Sequence, residues 1–172
     1  MLISKSMNTA LNEQVGNEFS AMLQYVSIAG YFSEEGLSAL AGHFFKQAEE
    51  EKDHAMRLVK YILDAGGHVA IPDAQSPEHL FKSAREAVEL ALTNEKRVTD
   101  QINGLVELAM KEGDHITKSI LDWFVREQLE EVSGMDNLLK VVIRAGENNL
   151  LFVEEYLSRK SGAPKKEVAP ES

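Results

Sequence analysis

Glu51 and His54 stand three residues apart in the run Glu50-Glu51-Lys52-Asp53-His54. On a helix, that spacing sets a carboxylate and an imidazole one turn apart on one face, where both reach the same metal ion. A single Glu-x-x-His is a weak signal. It gains force only when carboxylates from other helices arrive at the same height. The chain of 172 residues has no cysteine, so thiolate ligands and disulfides are excluded and any metal site must use oxygen and imidazole. That donor set favours iron, manganese or magnesium over structural zinc.

The elements that must position this pair are legible as apolar seams at steps of three and four. From about Met7 to Phe32 the seam is Leu11, Val15, Met22, Tyr25, Ala29 and Phe32, and its one gap is filled in register by Glu18. After the break Ser33-Glu34-Glu35-Gly36, a second helix runs from about Leu37 to Ala65 through Leu40, Phe44, Ala48, Ala55, Leu58 and Ile62, interrupted by Glu51 with His54 beside it. Gly66-Gly67 ends it. A connection of about 12 residues follows, with Ser76 as expected N-cap and Pro77 as first helical residue. Antiparallel neighbours need only about 2 to 8 linking residues. A connection this long spans about 40 Å when extended and predicts a crossover that sets the third helix parallel to the second.

The third helix, about Pro77 to Lys111, carries Phe81, Ala84, Val88, Ala91, Val98, Ile102, Leu105 and Ala109, with Glu95 at the central step. The fourth, about Asp114 to Ala145, carries Ile120, Phe124, Met135, Leu138 and Val142, with Gln128 and Glu131 in the middle. A short fifth helix is expected over Leu150 to Leu157. The fold class is therefore all-α, a four-helix bundle plus a short fifth helix over residues 1–159. The Lys/Pro/Glu-rich stretch 160–172 is expected to be a disordered tail.

In an antiparallel hairpin, residues equidistant from the turn lie level. The midpoint of Glu18 and Glu51 falls in the break at Ser33 to Gly36, and that of Glu95 and Gln128 falls just before Gly113. Each polar pair is thus about 16 residues, or roughly 25 Å, from its turn. One core layer would hold Glu18, Glu51, His54, Glu95, Gln128 and Glu131, with Glu50, Glu127 and Glu130 next to it. So many buried carboxylates cannot all stay ionised without cations. Two divalent metals resolve the conflict, with Glu51 bridging, Glu18 and His54 on one metal and Glu95 on the other. Tyr25, two turns after Glu18, is placed to donate its hydroxyl to one of the carboxylates.

Each residue alone has a plainer reading. Seam glutamates usually snorkel or pair with Lys or Arg, and Tyr25, Trp123 and a lone core histidine usually pack. The coincidence of four interruptions at matched heights favours metal. His43, His68, His79 and His115 have no such support. A net charge of −10, from 28 acidic and 18 basic residues, argues against nucleic-acid partners. The N-terminal residues contain no signal-peptide core, and no apolar run approaches membrane-spanning length, so the expected location is the cytoplasm.

From Ala10 to Leu157 the chain resembles the ferritins, and among them the prokaryotic non-haem ferritins. The resemblance is carried by Asn17-Glu18-Phe19, Gln24-Tyr25, Glu50-Glu51-Lys52-Asp53-His54-Ala55-Met56, Glu95 and Trp123-Phe124-x-x-Glu127-Gln128-x-Glu130-Glu131-Val132. It implies a ferroxidase that oxidises Fe(II) with dioxygen or hydrogen peroxide at a di-iron centre and stores ferric mineral in a homo-oligomeric shell of 24 subunits. By motif position, Glu18, Glu51 and His54 hold the first iron, Glu51 bridges to a second held by Glu95, and Tyr25 stands beside the centre. Gln128 and Glu131 match weaker ligands, and Glu50, Glu127, Glu130 and Glu131 match a third iron site.

Two departures separate the chain from bacterioferritins. The fourth helix lacks a second Glu-x-x-His, and the residue after the bridging glutamate is Lys52 where they place the haem methionine, so no haem is expected. Met56, Arg57 and Lys60 only partly match an acidic mineral surface. The resemblance also implies iron entry near Asp114, Lys118 and Asp122, and a fifth helix packed around four-fold axes. Two other readings of the residues stand beside storage: a di-iron or di-manganese enzyme of the same fold that stores nothing, and a metal-free scaffold whose polar layer sets register.

Overall fold

The computed structural model describes residues 2–161, all helical or connecting. The order is α1 (Lys5–Glu34), α2 (Ser38–Asp64), α3 (Ala84–Glu112), α4 (His115–Ala145), a 3-10 turn (Glu147–Asn149) and α5 (Leu151–Ser161). Cross-contacts fix the directions. Gln47 meets Glu131, His54 meets Phe124 and Tyr61 meets Thr117, so α2 and α4 run antiparallel. Ser4 meets Glu112 and Tyr25 meets Glu95, so α1 and α3 do too. With α3 and α4 joined by the tight turn at Gly113, α2 and α3 are parallel, as the crossover predicts. Among the described residues no helix is long and apolar enough to cross a membrane.

The crossover is longer than the sequence reading, and the expected helix start at Ser76-Pro77 is corrected: α3 begins at Ala84. Ser83 is its N-cap, accepting from Glu86 N at 3.1 Å, while Glu86 accepts from Lys82 N at 2.6 Å. This pattern, close to a capping box, outcompetes Ser76 because the backbone before it is already engaged. Asn8, Asn12, Ser20, Gln24 and Ser27 form a polar stripe on α1 that bonds to the backbone of His68, Ala70, Gln75 and Glu78. Backbone groups drawn partly out of solvent against α1 need such partners, and here α1 supplies them instead of a helical ladder.

Gly16 lies in the same stripe, where Pro72 rests. A Cβ there would stand 2.6 Å from Pro72 Cγ. Alanine normally gains about 1 kcal/mol over glycine inside a helix. The overlap with the ring costs more, and Gly16→Ala is expected to destabilise the protein by about 1 to 2 kcal/mol in denaturant unfolding. A stability increase in that experiment would refute the packing of the crossover on α1.

The apolar core falls into two clusters. One joins Tyr25, Phe32, Phe44, Val88, Met135 and Val142 with Val153 and Leu157 of α5. The other joins Met7, Val15, Leu58, Ile62, Ile102, Leu121 and Phe124. Leu121, not Ile120, is the buried apolar residue of the first α4 turns. The α5 face is also narrower than the sequence suggests: Val153 and Leu157 are buried, while Leu151 and Phe152 are exposed. α5 continues through Lys160 to Ser161, and the rest of the expected tail, 162–172, lies outside the described residues.

Two helix starts are completed by the C-terminal segment. α2 begins after Leu37, whose side chain offers no cap. Glu154 of α5 accepts from Ala39 N and Leu40 N, both at 2.8 Å. Glu147 does the same for α3, accepting from Ala84 N at 3.0 Å and Arg85 N at 3.1 Å. Carboxylates at helix N-termini satisfy orphan donors and complement the helix dipole.

Candidate metal centre

Between the two apolar clusters lies a polar layer built from all four long helices. Glu18, Glu51 and Glu95 are at most 1% exposed, and His54 and Gln128 are buried beside them. Ligand atoms of Glu18, Glu51 and His54 lie within 4.8 Å of one another. His54 Nδ1 is 3.3 Å from Glu51 Oε2, the one-turn spacing that the sequence implies. The Tyr25 hydroxyl donates to Glu95 Oε1, so the expected tyrosine–carboxylate bond is present and its acceptor is Glu95.

The carboxylates share a pattern. Glu18 Oε2, Glu51 Oε1 and Glu95 Oε2 are buried without any hydrogen-bond partner. Leaving a buried carboxylate oxygen unpaired is costly, so three in one layer point to cationic occupants. The electrostatics agree. Burial, then the charge of Glu51, raises the Glu18 pKa well above the ordinary carboxylate value. Burial, then Glu95, does the same to Glu51. Burial raises Glu95 to about 7. Tyr25 is likewise raised well above the usual phenol value, by burial and then by Glu95, so it remains a proton donor.

Toward the surface, α2 and α4 face each other across two grooves. One, of about 710 Å³, is lined by Gln47, Glu50, Glu127, Glu130 and Glu131 at one end and by Tyr156 and Lys160 of α5 at the other. The second is lined by His54, Glu50, Glu127, Arg57 and Trp123. Of the expected outer carboxylates, Glu127 and Glu131 come within 4.8 Å of His54 and of each other. Glu131 is half-buried, and burial followed by the Glu95 charge raises its pKa to about 7. Glu50 pairs with Lys46 at 3.2 Å, and Glu130 is exposed on the groove wall, so these two stand apart from that cluster. Trp123 is half-buried, with the Arg57 guanidinium 3.8 Å over its ring and its ring centroid 5.4 Å from that of His54.

Three supporting side chains escape the sequence reading. Gln14 Nε2 donates to Glu18 Oε1 at 2.9 Å, Gln47 Nε2 to Glu131 Oε2 at 2.7 Å, and Thr99 Oγ1 to Gln128 Oε1 at 2.8 Å. A usable signal existed. Each is a polar residue four positions from a seam carboxylate, Gln14 before Glu18, Gln47 before Glu51 and Thr99 after Glu95, and so lies on the face that carries it. Near the α3–α4 turn the outcome is different. Both Asp114 oxygens are used in capping α4 through Thr117, and Lys118 pairs with Asp122 at 2.8 Å, so these acids are already partnered within the chain.

A four-helix bundle with a long crossover and a buried layer of glutamates and histidine defines the class of ferritin-like carboxylate bundles. The chain belongs to the ferritin family, with residues 8–145 matching its ferritin-like domain. It is 44% identical over 161 residues to ferritin BfrB of Mycobacterium tuberculosis, covering 90% of this chain and 88% of that protein. It is 33% identical to a bacterial non-heme ferritin of Staphylococcus epidermidis, covering 93% and 98%. An open-pore ferritin from Archaeoglobus fulgidus superposes with a TM-score of 0.88 at 34% identity, covering 91% of this chain and 97% of that one.

Proposed function

We propose that this chain is a cytoplasmic iron-storage ferritin with ferroxidase activity. It oxidises Fe(II) with dioxygen or hydrogen peroxide at a di-iron centre within each subunit and stores Fe(III) mineral in a shell of 24 copies. The observation that carries the reading is the buried layer in which Glu18, Glu51 and Glu95 each keep one oxygen without a partner, beside His54. Fe(II) is the substrate, two ions supplying the two electrons that reduce one dioxygen, with two protons, to hydrogen peroxide.

The residues act on that substrate in definable ways. Glu18 and His54 hold one ion, Glu95 the other, and Glu51 spans both. Hard carboxylate donors stabilise Fe(III) over Fe(II) and so favour electron loss. Because burial disfavours the ionised form of these carboxyls, uptake of cations expels protons. Tyr25 holds Glu95 in place. Gln128 is a neutral donor and leaves the second ion exchangeable. Glu131, Glu127, Glu50 and Glu130 offer a third site and a path along the groove between α2 and α4. Lys52 in the position after Glu51 gives no ligand for haem.

The test is aerobic addition of Fe(II) to the purified protein, followed by sizing and iron counting. A storage ferritin turns over Fe(II), elutes as a 24-subunit particle and retains many irons per subunit. A smaller particle with two metals per subunit would replace storage with a di-iron or di-manganese enzyme. A protein with no Fe(II) oxidation at all would be the metal-free scaffold.

A further inference from the structure

We propose that Gln14 is a positioning residue for the metal centre. Its amide ties down one oxygen of Glu18, so that Glu18 meets metal through the other oxygen alone. The proposal rests on the reading of Glu18 as an iron ligand. Gln14 lies one helical turn before Glu18 on α1 and is 2% exposed. Its Nε2 donates to Glu18 Oε1 at 2.9 Å, while Glu18 Oε2 has no partner. A second contact orients the amide: Asn17 Nδ2 donates to Gln14 Oε1 at 3.3 Å, which leaves Nε2 for the carboxylate.

The physical role follows from what else surrounds Glu18. Its neighbour Glu51 is another acid, whose own donor proton is lost when the site takes up a cation. Gln14 is the amide donor facing Glu18, and an amide keeps its N–H whatever the charge on the neighbouring acids. With Oε1 committed, Glu18 is presented as a one-oxygen ligand before any metal arrives. Without that bond both oxygens are free, and a carboxylate with both oxygens free closes on a cation in bidentate fashion. Coordination number at the first site then rises by one. Removal of an outer partner that orients a metal ligand also weakens metal binding, by about tenfold.

The probe is Co(II), whose visible bands weaken sharply as coordination rises to six. The metal-free assembled protein and its Gln14→Leu variant are titrated with Co(II) alone. The expected result is bands of clearly lower intensity in the variant at saturation, with half-saturation at about tenfold higher Co(II). Ser20→Ala, which loosens α1 from the crossover without touching Glu18, leaves the bands unchanged. Should Gln14→Leu fail to fold, Gln14→Met keeps the side-chain length without the donor and gives the same readout. Variant bands that superimpose on those of the wild type overturn the proposal. A wild-type protein that takes up no Co(II) overturns the reading of Glu18 as a ligand as well.

Discussion

Replacing Glu51 with glutamine is expected to make the metal-free protein more stable at pH 8 while lowering its Fe(II) oxidation rate at least about a hundredfold. The two effects have one cause. Glu51 lies between Glu18 and Glu95 in a layer with almost no solvent, and burial with the charge of Glu95 already disfavours its ionised form. A neutral side chain of the same shape removes that repulsion, and relief of buried ionic groups stabilises proteins by about 1 to 3 kcal/mol. In the proposed function the same change deletes the carboxylate that spans both cations. Outer partners of metal ligands already cost 10 to 100-fold when removed, so a bridging ligand belongs at or beyond the top of that range. Denaturant unfolding and a stopped-flow oxidation assay on one preparation read both quantities. A variant that is less stable than the wild type yet fully active would mean that Glu51 holds the bundle together and does nothing else.

The second large effect is on pH. The metal-free protein is expected to lose stability as pH rises from 5 to 7.5. Burial lifts Glu95 from the ordinary value of 4.5 to about 7, so within that interval the folded chain holds a proton that the unfolded chain has released. Stability then falls with rising pH, by about 2 to 3 kcal/mol from Glu95 alone. Glu18 and Glu51 act in the same direction, whereas the half-buried Glu131 contributes less because water screens it. Glu95→Gln makes the profile shallower, and the slope that is left comes from Glu18 and Glu51. Saturating Zn(II) reverses its slope, because bound cations keep the carboxylates ionised and compete with protons. Unfolding midpoints at pH 5.5, 6.5 and 7.5, with and without Zn(II), decide the matter. A metal-free profile that is level or climbs over this range would show that the layer is solvated.

The sequence shows the bundle and its polar layer because both depend on local rules. Steps of three and four place Leu11, Val15, Tyr25 and Phe32 on one face, and the same periodicity exposes Glu18, Glu51, Glu95 and Gln128 as interruptions. Symmetry about the turns then sets their height, and the structure puts them between the two apolar clusters. The start of α3 is misread because Ser76-Pro77 satisfies the local signal, while the bonds that keep Glu78 extended come from Gln24 and Ser27 on another helix. Ile120 and Leu121 are equally apolar neighbours, and only the packing of α4 decides which one turns inward. Gln14 and Gln47 pass as ordinary helix residues, since hydrophobic periodicity alone does not register a hydrogen bond, whether along α1 to Glu18 or across to Glu131 on α4.

The two carboxylates that finish the starts of α2 and α3 carry a consequence for biosynthesis. Glu147 and Glu154 leave the ribosome after every long helix has already been made. Until then the amides of Ala39, Leu40, Ala84 and Arg85 have only water to bond. Those two helix starts are therefore completed last, when the final helix docks. A polypeptide halted before Glu147 would keep frayed ends on two of its four rods, which marks it as unfinished before any assembly begins.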